Sequence, residues 1–290
     1  MAKSAGGCLK GCALGCGGLF LLGGLVVVGF ALSVGSLATR AVDLRHTLES
    51  TLPDQKSFTP SLDGTIPLDR LERFLEVRRQ LMTFCPEFTE LAAGMVGMDD
   101  HVAELESNPD ATPRDLFSLF GRVGRIGRGM VGVGRWLGEY SVTRNETLLE
   151  QEMGLGEYTW IYVVAYYSWL DHEPANFALA EGEAPRIFYQ RVLGEVREMM
   201  RRQLDQMEAG RGGPGDRDEA GSVAFLEALR AELASLDEDV TRLPFADGLP
   251  AGLRGSLEPF RQELAAAYCA ATSELDFMRT EKAGLGHDHL

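Results

Sequence analysis

Residues 158–169 read YTWIYVVAYYSW, and this aromatic stretch decides how the rest of the chain is interpreted. At the helical spacing of 3.6 residues, one face carries Tyr158, Tyr162, Tyr166 and Trp169. About a dozen residues are too few to span a bilayer, so the stretch predicts a buried central helix in a bundle.

The polar tips of these aromatic side chains leave a second interpretation open. Buried Tyr and Trp side chains need hydrogen-bond partners, so the same face could line a ligand-binding groove. We therefore name Tyr158, Tyr162, Tyr166 and Trp169 as candidate ligand-binding residues, although core packing explains their spacing more simply.

Apolar residues at steps of three and four predict further helices on both sides of the aromatic stretch. The predicted helices are 40–52 before Pro53, 66–97 with a break at Pro86, 155–172, 183–208, 222–238 and about 256–278. Thr112-Pro113 predicts one more helix start. Sustained alternation with a period of two is absent from the sequence, so the predicted fold class is all-α, an irregular multi-helix bundle.

The amino-terminal segment has a different character. No charged residue occurs from Gly11 to Thr39, and residues 19–34 read LFLLGGLVVVGFALSV. A helix of about 20 such residues spans a bilayer, which predicts a single transmembrane helix. Lys3 and Lys10 precede it, so we expect the amino terminus in the cytoplasm and the main domain outside.

Other interpretations of this segment remain open. Ser36-Leu37-Ala38 could be the cleavage site of a signal peptide, although the approach to the apolar run is long for one. Gly7, Gly11 and Gly15 lie one turn apart, beside Cys8, Cys12 and Cys16, and such small-residue rows permit self-association in membranes. Acylation of the three thiols and metal binding by them are further alternatives, and we favour the simplest interpretation, that small residues are tolerated at a membrane boundary.

The predicted organisation has four parts. Residues 1–40 form a cytoplasmic tail and transmembrane anchor, and residues 41–65 form a juxtamembrane helix extension and loop. Residues 66–280 form the helical bundle, interrupted at 209–222 by a Gly-rich stretch that predicts a flexible linker. Residues 281–290 are expected to be a disordered tail.

A glycine- and arginine-rich segment, Gly121–Gly138, has three possible interpretations. It contains Arg122, Arg125, Arg128 and Arg135 and no acidic residue. The segment could be a closely packed helix, an anion or lipid-headgroup site, or a nucleic-acid site. We favour packing and name the four arginines as further candidate ligand-binding residues.

Composition excludes some functions. The chain has 28 Lys+Arg against 43 Asp+Glu, a net charge of −15, so a uniformly basic nucleic-acid binder is excluded. Paired histidines at metal-binding spacing, a Walker loop, a G-x-S-x-G motif and a Cys-x-x-Cys motif are all absent from the sequence. We expect no nucleic acid, no cofactor and no metal, and the sequence offers no positive indication of an enzyme.

Two cysteines of the predicted bundle, Cys85 and Cys269, have two possible states, a disulfide or two free thiols. An exported domain would permit them to form a disulfide, whereas two buried free thiols would act as small apolar residues. We favour free thiols here, because helix pairing cannot be deduced from the sequence.

Together these features predict a membrane-anchored, acidic, all-helical interaction or structural module at the bacterial cell envelope. The expected partners are the membrane, a protein of unknown identity and a second copy through Gly7, Gly11 and Gly15. The alternative function is a helical bundle that binds an apolar or anionic small molecule such as a lipid.

Overall fold

The computed structural model describes residues 35–90, 135–173, 184–210, 219–273 and 275–277. Every regular element in these ranges is helical, which confirms the all-α class for the described part of the chain. The α-helices are α1 (35–51), α2 (Leu68–Leu81), α3 (85–90), α4 (135–150), α5 (Leu155–Tyr162), α6 (Ala184–Gly210), α7 (Glu219–Glu238), α8 (Ala251–Leu257) and α9 (Arg261–Ala266).

Several predictions fall outside the described ranges. They concern residues 1–34 of the predicted tail and anchor (1–40) with Gly7, Gly11 and Gly15, the helix start at Thr112-Pro113, Arg122, Arg125 and Arg128, the centre of the linker, and the tail. Among the helices that are described, none combines the length and the apolar character that crossing a bilayer requires.

Helix α5 is the centre of the bundle, as predicted. Every residue from Tyr158 to Tyr167 is buried, so other parts of the chain cover this stretch on all sides. The helix widens into a π-helix at Val163–Trp169. Because a π-helix closes its hydrogen bonds one residue later than an α-helix, the 3.6-residue face does not continue to Trp169.

Helix α2 supplies the apolar stripe that packs on α5. Leu71, Phe74 and Leu75 are buried there, and a 3-10 turn at Met82–Phe84 separates α2 from α3. The break predicted at Pro86 is confirmed, one turn earlier than the proline itself. Proline has no N–H to donate to the carbonyl of Met82, four residues before it.

Helices α6 and α7 form an antiparallel pair against the other side of the core. Arg201 pairs with Asp237, and Arg230 pairs with Glu208, so the two helices run in opposite directions. Both helices extend into the predicted linker 209–222, since α6 reaches Gly210 and α7 begins at Glu219. Ala, Glu and Ser permit helix here, and the predicted linker boundaries were too wide.

The helix predicted at about 256–278 is wrong. The chain instead forms α8, a 3-10 turn at Glu258–Phe260 around Pro259, and α9, which ends at Ala266. Beyond it the Ala267 carbonyl accepts hydrogen bonds from Arg78 Nε (3.1 Å) and Tyr166 Oη (3.2 Å). These tertiary bonds take the place of helix continuation, and Cys269 is extended.

The favoured interpretation of Cys85 and Cys269 as free thiols is also wrong. The two residues form a disulfide across 184 positions of sequence, with their Cα atoms 5.9 Å apart. Cys85 opens α3, and the extended backbone at Cys269 brings the second sulfur to it. The disulfide therefore fastens the carboxy-terminal part of the bundle to the α2–α3 arm.

Helices α1 and α4 run side by side in the same direction. Leu37 contacts Gly138, where an added Cβ would lie 2.9 Å from the Leu37 Cβ. Further along, the Asn145 side chain donates to the Ala41 carbonyl (3.0 Å), and Ala41 and Leu48 are buried. The chain within 41–65, predicted as a juxtamembrane segment, thus contributes to the common core.

The α2–α3 arm runs the opposite way. The Phe84 ring lies 5.5 Å from that of Tyr140, and the Phe88 ring lies 6.4 Å from that of Trp136. The three described chain ends at residues 35, 90 and 135 therefore meet at one end of the bundle. We call this end, formed by residues 35–40, 85–90 and 135–140, the amino-terminal pole.

Gly156 allows α5 to pass close to the loop that follows α1, and its substitution should be costly. A Cβ at Gly156 would lie 2.4 Å from the Asp54 carbonyl oxygen, so Gly156→Ala should lower the free energy of unfolding by about 1–3 kcal/mol. At Gly194 in α6 an added Cβ would meet no atom within 4 Å, so Gly194→Ala should raise the free energy of unfolding by up to about 1 kcal/mol. Urea unfolding of both variants checks this, and equal effects would contradict the tight packing at Gly156.

Candidate functional site

The most unusual chemistry in the described chain begins with a charged residue on an apolar helix face. Arg78 follows Leu71, Phe74 and Leu75 at helical spacing, and its side chain is fully buried. A buried guanidinium needs a counter-charge and several hydrogen-bond acceptors, because its desolvation is otherwise very costly. Arg78 is not among the candidate residues predicted from the sequence, although a charged residue on an apolar stripe is visible there.

The counter-charge comes from the carboxy-terminal part of the chain. Arg78 Nη1 lies 2.8 Å from each oxygen of the Asp276 carboxylate, and neither side chain is exposed to solvent. The two residues are 198 positions apart, so only the tertiary fold brings them together. Burial works against the charged guanidinium, but the Asp276 carboxylate prevails and raises the pKa of Arg78 well above its usual value.

Two tyrosines from different helices complete the shell of this carboxylate. Tyr140 of α4 and Tyr158 of α5 each donate a hydroxyl hydrogen bond of 2.6 Å to Asp276 Oδ1. The Tyr158 hydroxyl also accepts from Arg78 Nη1 at 2.9 Å. We call Arg78, Tyr140, Tyr158 and Asp276 the Asp276 cluster. Burial raises the pKa of both tyrosines well above the usual range, so they remain donors at neutral pH.

A second buried arginine fixes the backbone that carries Asp276. Arg144 Nη1 donates to the carbonyl oxygens of Leu275 (2.8 Å) and Asp276 (2.9 Å). Burial lowers the pKa of Arg144. Because arginine keeps its proton in proteins, Arg144 nevertheless stays positively charged. Together with the bonds to Ala267, side chains of α2, α4 and α5 therefore hold the segment around Asp276 in place.

The remaining tyrosines of the aromatic stretch pack around the guanidinium of Arg78. Its central carbon lies 5.0 Å from the Tyr162 ring centroid and 5.5 Å from that of Tyr166, within cation–π distance. The Tyr162 hydroxyl is buried without a hydrogen-bond partner. Burial raises the pKa of Tyr162 well above its usual value and that of Tyr166 to about 12.

The described residues among those predicted to bind a ligand have different surroundings. Tyr158, Tyr162 and Tyr166 lie together around Arg78, where they are buried. Trp169 is half-buried, with the Arg261 guanidinium 5.1 Å from its ring centroid. Arg135 is exposed and pairs with Glu139 one turn along α4. Their ligand-binding role stays a prediction.

The Asp276 cluster has the chemistry of a group that stabilises the fold. Its carboxylate accepts hydrogen bonds from one arginine and two tyrosines, which come from three different helices. The side chains are buried, which separates them from solvent. Across the described ranges, no three His, Cys, Asp or Glu side chains are grouped in a way that could hold a metal ion.

The buried tyrosines predict a loss of stability in alkali. Their raised pKa values mean that the folded state keeps phenolic protons that the unfolded chain loses above about pH 10. Stability should therefore be complete below about pH 10 and fall as the pH rises towards the folded pKa values, about 12 for Tyr166. Phenolate absorbance should appear together with the loss of circular dichroism. Full ionisation near the usual tyrosine pKa without unfolding would contradict the burial.

No protein-family model, curated protein or solved structure matches this chain.

Proposed function

We propose that this protein is a membrane-anchored structural or interaction module whose helical bundle lies outside the cytoplasm. The observation that carries the proposal is the disulfide between Cys85 and Cys269. Disulfides persist in oxidising compartments and are rare in the cytoplasm, where thiols are kept reduced. An exported bundle matches the orientation expected from Lys3 and Lys10 before the apolar run.

The junction between the apolar run and the bundle supports the same proposal. Helix α1 is described from residue 35, the position that follows residues 19–34 in the sequence, and it buries Ala41 and Leu48 in the core. Arg40 pairs with Glu146, and Asn145 bonds to the Ala41 carbonyl. A bundle joined to its anchor in this way would be held next to the bilayer without a long flexible tether.

A structural or interaction role fits the Asp276 cluster better than catalysis does. The polar groups of the cluster are buried and largely bonded to one another, and they join α2, α4, α5 and the carboxy-terminal segment. The alternative, binding of a small molecule along the aromatic helix, has less support because residues 158–167 are all buried. The partner of the module is proposed to be another envelope protein.

Cell fractionation tests the proposal directly. The full chain should remain in the membrane pellet after carbonate washing of cells, because a transmembrane helix is not released by high pH. Protease added to spheroplasts should then digest the bundle, while a cytoplasmic marker protein stays intact. Release by carbonate, or protection of the bundle in intact spheroplasts, would contradict the proposal.

A further inference from the structure

We infer that the amino-terminal pole of the bundle is a membrane-contacting surface, and that its partner is the phospholipid bilayer. The inference rests on the proposed function, since it requires that residues 19–34 are anchored in that bilayer. It goes further, because it states which side of the bundle faces the lipid and which residues meet it: Leu37, Arg40, Arg135 and Trp136.

The first argument is the direction of α1. Residue 35 lies at the pole, and α1 leads away from it for 17 residues, about 24 Å of helix. Because the apolar run ends at residue 34, its covalent attachment to the bundle is at the pole. The loop at Pro53, at the other end of α1, is thereby placed on the side away from the anchor.

The second argument is that another part of the chain enters the bundle at the same pole. The contact of Leu37 with Gly138 places the first described turn of α4 beside the first described turn of α1, and the contact of Phe88 with Trp136 places the last described residues of α3 there. The chain that connects residues 90 and 135 therefore both leaves and returns on the side of the anchor.

The pole presents both interfacial and acidic side chains, since Trp136, Arg135 and Arg40 lie there together with the exposed Glu87 and Glu90. Trp136 is half-buried and the Arg135 side chain is 67% exposed, so both can reach the headgroup region. Arg40 is also exposed, at 60% of its side chain. Glu139 and Glu146 pair with these two arginines, which reduces the repulsion that their carboxylates would meet at an anionic surface.

Tryptophan fluorescence in vesicles provides the test. Of the three tryptophans, Trp136 lies at the pole, whereas Trp160 lies one turn beyond Gly156, which contacts Asp54 past the far end of α1. The full chain is reconstituted as two single-tryptophan variants, W160F/W169F and W136F/W169F. The vesicles contain phosphatidylcholine, phosphatidylglycerol and a phosphatidylcholine with a nitroxide quencher high on its acyl chain.

We expect Trp136 to lose most of its emission to the nitroxide lipid, while Trp160 keeps most of its own. Both variants must float with the vesicles and retain the helical circular dichroism of the parent chain. Failure to float would overturn the proposed anchoring, and the inference with it. Flotation with an unquenched Trp136, or with equal quenching of Trp160, would overturn the membrane-facing pole and leave the anchoring intact.

Discussion

Replacing Asp276 by asparagine should lower the free energy of unfolding by about 3–5 kcal/mol, because it leaves the fully buried Arg78 without a counter-charge. Asparagine has nearly the same shape as aspartate, so the change acts on charge and hydrogen bonding rather than on packing. The amide oxygen can still accept from Tyr140 and Tyr158, but the amide nitrogen then replaces an oxygen that accepts from Arg78 and places a donor against a donor. Denaturant unfolding of the full chain in detergent micelles measures the loss.

Asp237 offers a matched control for this prediction. Its side chain is 51% exposed and pairs with Arg201 on the neighbouring helix. Exposed pairs contribute about 0–1 kcal/mol, so Asp237→Asn should change stability little. A double variant, R78M/D276L, should lose less than the sum of the two single changes, because no charge then remains unpaired. Equal effects of D276N and D237N would show that the Asp276 cluster does not stabilise the fold.

Removing the disulfide should produce the other large effect. The bond between Cys85 and Cys269 closes a loop of 184 positions, and restricting the unfolded chain over such a loop is worth about 5 kcal/mol on the entropic model. Measured losses for native disulfides are typically about 2–5 kcal/mol, and we expect C85S/C269S to fall in that range. Unfolding midpoints of the parent with and without a reducing dithiol should reproduce the same difference.

The amino-terminal cysteines provide the control for this substitution. C8S/C12S/C16S leaves the bond between Cys85 and Cys269 in place, so its unfolding midpoint should equal that of the parent and should still fall on reduction. A parent chain whose midpoint does not respond to the dithiol would contradict a stabilising disulfide.

The sequence predicts those helices whose buried residues are apolar and recur at regular local spacing. The leucine and methionine rhythm of α6 and α7 places both helices, and the aromatic stretch identifies α5 as the buried centre. Helix α4 escaped prediction because its buried face includes Tyr140, Ser141, Arg144 and Asn145, and polar residues leave no hydrophobic period.

The features that depend on distant contacts could not be deduced in the same way. Asp276 belongs to no local sequence pattern, because its structural role depends on Arg78, which is 198 positions away. The end of α9 also depends on distant residues, because Arg78 and Tyr166 donate hydrogen bonds to the Ala267 carbonyl. Arg78 itself was detectable, since it interrupts the apolar stripe of α2, and similar interruptions merit attention in other helical sequences.

The state of Cys85 and Cys269 in cells tests the central claim, an extracytoplasmic bundle, most directly. Cells that produce the full chain are quenched in acid, free thiols are alkylated, and the membrane protein is digested without reduction. We predict that the peptides containing Cys85 and Cys269 are recovered joined to each other and unalkylated. Recovery of both peptides separately, each carrying the alkyl group, would contradict the account.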